Sequence, residues 1–160
     1  MNERQTTLCY LEQNGRYLMM HRIKKENDEN RDKWIGVGGK LEPGETPQEC
    51  LLREVLEETG LRLLSARYRG IVRFDSDIWG VELMHLYTAD SWEGILRYDS
   101  KEGILEWIEK TRINELPIWE GDKIFFDLLS REYPFFRLEL TYKGDTLIRS
   151  VLDGKELPAK

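Results

Sequence analysis

Residues 39–61 read GKLEPGETPQECLLREVLEETGL. Thr46 suits a helix N-cap, and Pro47 suits the first helical position, where its missing N–H costs nothing. Glu49, three places after Thr46, completes a capping box, and Gly60 stands at the usual stop. The stretch therefore predicts a helix over Pro47–Thr59. At roughly 100° per residue, Glu54, Glu57 and Glu58 fall within an arc of about 100°, with Arg53 at its edge. Leu51, Leu52, Val55, Leu56 and Thr59 occupy the opposite arc, which is expected to bury.

Three carboxylates at i, i+3 and i+4 repel one another and weaken an isolated helix. Divalent cations remove that penalty, because Mg²⁺ and Mn²⁺ prefer hard oxygen ligands. A charge run alone ordinarily marks a solvated face; here glycines, a cap and an arginine accompany it. Arg53 is expected to reach Glu57 across one turn. Glu45, just ahead of the helix, is expected to support the loop rather than to bind metal. Gly36, Gly38, Gly39 and Gly44 bracket the lead-in, and Gly38-Gly39 lets the backbone approach a cation, which makes the Gly39 carbonyl a candidate ligand.

The same residues match G-x5-E-x7-R-E-U-x-E-E-x-G-U, with U aliphatic, at every defined position; Val55 and Leu61 fill the U positions. On that motif the chain resembles the Nudix hydrolase superfamily. The resemblance implies an α/β fold, an α/β/α sandwich around a mixed, antiparallel-edged β-sheet, in one domain spanning residues 1–160. It implies hydrolysis of a nucleoside diphosphate linked to a further group, with Mg²⁺ or Mn²⁺ as cofactor. Carried over by position, Glu54, Glu57 and Glu58 are the metal ligands, beside the Gly39 carbonyl already named as a candidate. Glu54, Glu57 and Arg53 form the catalytic group, with one of these glutamates, or a carboxylate from a later loop, as the base.

The chain has 160 residues, enough for one domain with a proper core. A net charge of −6 argues against a nucleic-acid polymer as partner, which wants a basic face. It leaves a small nucleotide possible, since bound cations reverse the local field. Two cysteines, Cys9 and Cys50, read as reduced and cytoplasmic. No apolar run is long enough for a membrane span. A monomer or homodimer is expected.

Strands are predicted at 6–13 and 16–23 around an Asn14-Gly15 turn. A long polar loop, 24–33, follows at the mouth of the site and is read as mobile. Two more strands are placed near 67–75 and 81–89, a loop over 90–103, and a short strand at 104–108. A second amphipathic helix is expected over Trp119–Ser130. A hairpin over 135–142 and 146–152 ends the chain, with only the last few residues loose.

The C-terminal part resembles one branch of the superfamily, the oxidised purine nucleoside triphosphatases. The similarity lies in Leu116-Pro117-Ile118-Trp119, Glu120-Gly121-Asp122 and the late hairpin. It implies that Trp119 stacks on the purine and Asp122 bonds its edge. Ile35 and Gly121 depart from the branch, which carries an amide and a first aspartate there. The resemblance also brings Glu102, from a loop, to the metal site as ligand or base. Arg22 and Lys40 are candidate phosphate contacts. The histidines His21 and His85 lack ligand spacing, so zinc is not expected. Three functions follow: a triphosphate pyrophosphohydrolase, a pyrophosphatase of ADP-ribose or another nucleotide sugar, and a non-catalytic nucleotide-binding module.

Overall fold

In β1 (Arg4–Gln13), the run Thr7–Leu11 is buried on both faces. Such a strand must lie inside a sheet covered on each side. The computed structural model, which describes residues 3–158, shows how. After β1 come β2 (Arg16–His21), β3 (Trp34–Ile35), α1 (Pro47–Thr59), β4 (Leu61–Ser76) and β5 (Gly80–Gly94). Then follow β6 (Ile104–Glu109), a 3₁₀ turn over Lys110–Glu115, α2 (Asp122–Ser130), β7 (Phe136–Lys143), β8 (Thr146–Leu152) and β9 (Lys155–Glu156). The strands run in the order β3-β2-β1-β5-β4-β7-β8-β9, with β6 against β2. β1 is parallel to β5 and β4 to β7, while β4–β5, β7–β8 and β2–β6 are antiparallel. The sheet is mixed, as expected.

Alternation along β1 sorts the core into two layers. Leu8 and Tyr10 join Phe74, Leu86, Phe125 and Phe126 beneath α2. Cys9 and Leu11 join Leu51, Val55, Leu61 and Tyr87 beneath α1. The result is helix on sheet on helix. Cys9 and Cys50 are both buried and free. Among the described residues no helix is long and apolar enough to cross a membrane.

Four expectations need correction. The strands placed at 67–75 and 81–89 are longer, extending to Leu61 and Gly94, so the loop read over 90–103 starts at residue 95. Register shifts between Leu63 and Gly70 break the two-residue period there and hide the strand in the sequence. The second helix begins at Asp122; Trp119–Gly121 form the turn before it, closed by Asp122 N–H donating to Trp119 O. Leu52 and Leu56 are exposed, while Cys50, Leu51, Val55 and Thr59 are buried. The helix is thus rolled so that its acidic flank turns inward toward the sheet. Near the C-terminus, Lys155–Glu156 pairs with β8, and residues 159–160 of the tail read as loose lie outside the described residues.

Candidate active site

The capping box of α1 is complete: Glu49 N–H donates to Thr46 Oγ1 at 3.1 Å and Thr46 N–H to Glu49 Oε1 at 2.9 Å. It fixes where Arg53 emerges. The Arg53 guanidinium grips Glu45 twice, from Nε at 2.7 Å and Nη2 at 2.8 Å. Nη1 donates to Glu54 Oε1 at 2.7 Å, and Nη2 to the Lys40 carbonyl at 3.2 Å. Glu57, the partner expected from spacing, lies farther off at 3.6 Å. Glu45 also accepts from Glu42 N–H at 2.9 Å. Arg53 first, then that N–H, holds the Glu45 carboxyl down at about 2. Glu45 thus supports the loop, and a planar fork is what this double grip requires.

The glycine loop lies along β1. Thr7 N–H donates to the Gly39 carbonyl at 2.9 Å, and the Cys50 thiol approaches the same oxygen at 3.4 Å. The Glu54 carboxylate covers the other side of Gly39, where a Cβ would come within 2.5 Å of it. Any side chain at 39 would push this carboxylate away.

Glu57 stands 59% exposed on the outer flank of α1. Glu58 turns inward, and its Oε1 is buried with no hydrogen-bond partner among the described residues. Burial, then the charges of Glu102 and Glu54, push its carboxyl up to about 9. Glu102 comes from the loop before β6 and is held by Arg22 Nη1 and Lys25 Nζ, each at 3.2 Å. Arg97 ties that loop to the end of α1, donating from Nη2 to the Glu57 carbonyl at 2.9 Å and from N–H to the Thr59 carbonyl at 2.8 Å. Glu54 and Glu102 thereby line one cleft, with Glu58 buried next to them.

Among the described residues no three His, Cys, Asp or Glu side chains converge as a preformed cation cage. The donor set nevertheless fits a hard divalent cation. It is all oxygen, it crowds like charge, and one buried oxygen has no partner. Arg53 and Arg22 carry the positive charge that keeps the carboxylates together.

Beside the cleft, whose volume is 430 Å³, lies a narrower cavity of 90 Å³. Trp119 and Asp122 line the cavity, with Phe74, Met84 and Ile35. Trp119 packs edge-on against Phe74 at 5.0 Å and Tyr142 at 4.8 Å, and its Nε1–H donates to Asn30 Oδ1 at 2.8 Å. Lys33 Nζ sits 4.3 Å from its ring centre. The Asp122 carboxylate is 5% exposed and has no side-chain hydrogen bond among the described residues. Burial pushes it up to about 8, Glu82 adding to the shift and Lys33 opposing it. The glycine at 121 has a steric cause: a Cβ there would lie 2.5 Å from Leu140 and 2.7 Å from the Tyr142 hydroxyl.

Arg22 lines both spaces, its guanidinium engaged by Asp28 at 2.9 Å and by Glu102. Lys40 is exposed at the rim of the cleft. The loop 24–33, read from sequence as mobile, is fastened through Asp28 to Arg22, Glu29 to Arg4 and Asn30 to Trp119. His21 stacks on Trp34, and His85 bonds Tyr68 and Gln5, so neither faces the cleft as a ligand.

Sequence reasoning passed over Thr6, Glu29, Asn30 and Glu82, all of which line the cavity. For Glu82 a signal existed: it shares the inward face of β5 with Met84 and Leu86, where a carboxylate is out of place. Burial, then Glu29, push Glu82 up to about 7.

The sequence model of the NUDIX domain matches residues 1–129. An oxidized purine nucleoside triphosphate hydrolase of Danio rerio is 31% identical over 152 residues, 94% of each chain. The Nudix hydrolase YvcI of Bacillus subtilis is 29% identical over 140 residues, 85% of each. Among solved structures, a MutT protein from Bacillus halodurans superposes with a TM-score of 0.83 at 27% identity, covering 94% of this chain and 97% of that one.

Proposed function

Because this chain belongs to the Nudix family and is a pyrophosphohydrolase acting on nucleotides, we propose that its substrates are purine nucleoside triphosphates, 8-oxo-dGTP-type oxidised forms among them. The products are the monophosphate and pyrophosphate. One observation carries this reading: the cavity where Trp119 meets the unpartnered carboxyl of Asp122 adjoins the cleft of Arg53 and Glu54. An aromatic wall with one buried polar group suits a heterocyclic base. The Danio rerio relative supports the oxidised purine, and the departures at Ile35 and Gly121 leave the site fewer polar groups for reading the base edge. A cytoplasmic location accords with the two free cysteines.

Glu54, Glu57 and Glu58, with the Gly39 carbonyl, would hold Mg²⁺ or Mn²⁺. A divalent cation there supplies neutralisation of phosphate charge and an acidified water. Arg53 fixes the Glu54 rotamer and, through Glu45, the loop bearing Gly39. Both oxygens of Glu102 are paired with cationic side chains, whereas Glu58 Oε1 has no such partner; with cations bound, which ionise its carboxyl, Glu58 would take the proton of the attacking water. Arg22 and Lys40 flank the path of the phosphates. Trp119 and Asp122 orient the base, and the apolar wall of Phe74 and Met84 keeps water from it.

The test is a panel of GTP, ATP, 8-oxo-dGTP and ADP-ribose with product identification. Monophosphate and pyrophosphate from the purine triphosphates, at a higher kcat/KM than for ADP-ribose, are expected. Preferential cleavage of ADP-ribose would replace the reading, and tight binding without turnover would make the chain a binding module.

A further inference from the structure

Thr6, Arg22, Glu29, Gly38, Gly39 and Glu82 line both the cavity and the cleft. Trp119, Asp122 and Phe74 line the cavity only; Arg53, Glu54 and Glu102 line the cleft only. A nucleotide whose base rests on Trp119 and whose phosphates reach Glu54 must cross the shared wall. In any nucleotide the sugar lies between base and phosphates. The shared wall is therefore where a sugar sits.

That wall carries two carboxylates, Glu29 and Glu82, with Arg22 and Asn30 beside them. Glu82 lies in register between Arg4 of β1 and Phe74 of β4, so it stands beside the base cavity on one side and the outer cleft on the other. Thr6 Oγ1 donates to Glu82 Oε2 at 2.7 Å; Arg4 donates to Glu29 Oε1 at 2.8 Å and lies 3.6 Å from Glu82 Oε1. A carboxyl group keeps acceptor lone pairs to spare in either protonation state, so these contacts leave capacity on both groups. Arg4 and Thr6 hold the two carboxylates in place. Phosphate oxygens carry no proton to give such acceptors, and like charge repels them. Sugar hydroxyls do carry one, and an acidic side chain is a proven partner for a ribose 2′-hydroxyl in dinucleotide sites.

We propose that Glu82, seconded by Glu29, forms a sugar subsite that accepts hydrogen bonds from ribose hydroxyls and makes the enzyme favour ribonucleotides over 2′-deoxyribonucleotides. This rests on the purine triphosphate reading above. It makes Glu82 a specificity residue, where a purely structural Glu82 would act on all sugars alike.

The experiment compares kcat/KM for GTP, 2′-deoxy-GTP and 2′,3′-dideoxy-GTP in the wild-type protein, Glu82→Gln and Glu29→Gln. The wild-type ratio of GTP to 2′-deoxy-GTP is expected at about tenfold or more, the worth of one hydrogen bond to a charged acceptor. The dideoxy form is expected lower still. In Glu82→Gln the loss is greatest for GTP and the ratio falls toward one; Glu29→Gln shifts it the same way by less. The wild-type ratio needs no variant to fold. Turnover of GTP and 2′-deoxy-GTP with equal kcat/KM, or a Glu82→Gln loss equal on all three sugars, overturns the sugar subsite alone. Neither binding nor turnover of any purine triphosphate overturns the subsite together with the reading beneath it.

Discussion

Glu58 keeps one oxygen buried and unbonded beside two other carboxylates. Nothing in the packing explains such a group: raised to about 9, its carboxyl keeps in the folded chain a proton that the unfolded chain releases, which costs stability that an amide of the same shape would not lose. Glu58→Gln is expected to match or exceed the wild-type Tm in chelator while lowering kcat by about 10²-fold or more. Near-normal turnover in Mg²⁺ would remove Glu58 from the chemistry. Asp122 makes a different prediction. Its folded value of about 8 lies above the ordinary 3.8, so the folded protein retains a proton that the unfolded chain releases. Stability from this group therefore declines as pH rises from about 4 through about 8, and Asp122→Asn lacks that decline. Thermal melts across this range should show the variant gaining on the wild type and then levelling off. A constant difference in Tm would contradict the assignment. Of the two residues, Glu58 was legible in the sequence because motif and helix spacing are local. Asp122 was legible only through its likeness to a branch, and Glu82 was missed, because its meaning lies in what Arg4, Thr6 and Glu29 bring to it from distant positions.

The helix Pro47–Thr59 emerges at the bounds its sequence predicts, because both caps are written within the segment itself. Its roll about its own axis was not legible. Leu52 and Leu56 face solvent because Glu54 and Glu58 must face the glycine loop and Glu102; that choice is made by tertiary contacts. The bulged hairpin β4–β5 was underestimated for a related reason, since register shifts leave no periodic trace. The loop 24–33 carries a testable consequence. Its residues Glu29 and Asn30 line the cavity proposed for the base, so a purine bound there touches the loop directly. Amide hydrogen exchange over 24–33 is therefore expected to change on adding a purine triphosphate, while the interior of α1 changes little. Unchanged exchange in the loop, with binding shown independently, would mean the base sits elsewhere.

At the scale of the molecule, two core layers hold one sheet, and the cleft opens where the glycine loop, α1 and the loop before β6 meet at its edge. The architecture supplies stability on either side of the sheet and leaves the carboxylates to function. The excess of negative charge over the chain becomes compatible with a phosphate substrate only if cations stand between them. The most direct measurement is a crystal soaked with Mn²⁺ and a non-hydrolysable purine triphosphate, read by anomalous scattering. Manganese bridging the phosphates to Glu54, Glu57 and Glu58, with the purine against Trp119, is the predicted result. Those glutamates bare of metal while nucleotide is bound would contradict the account.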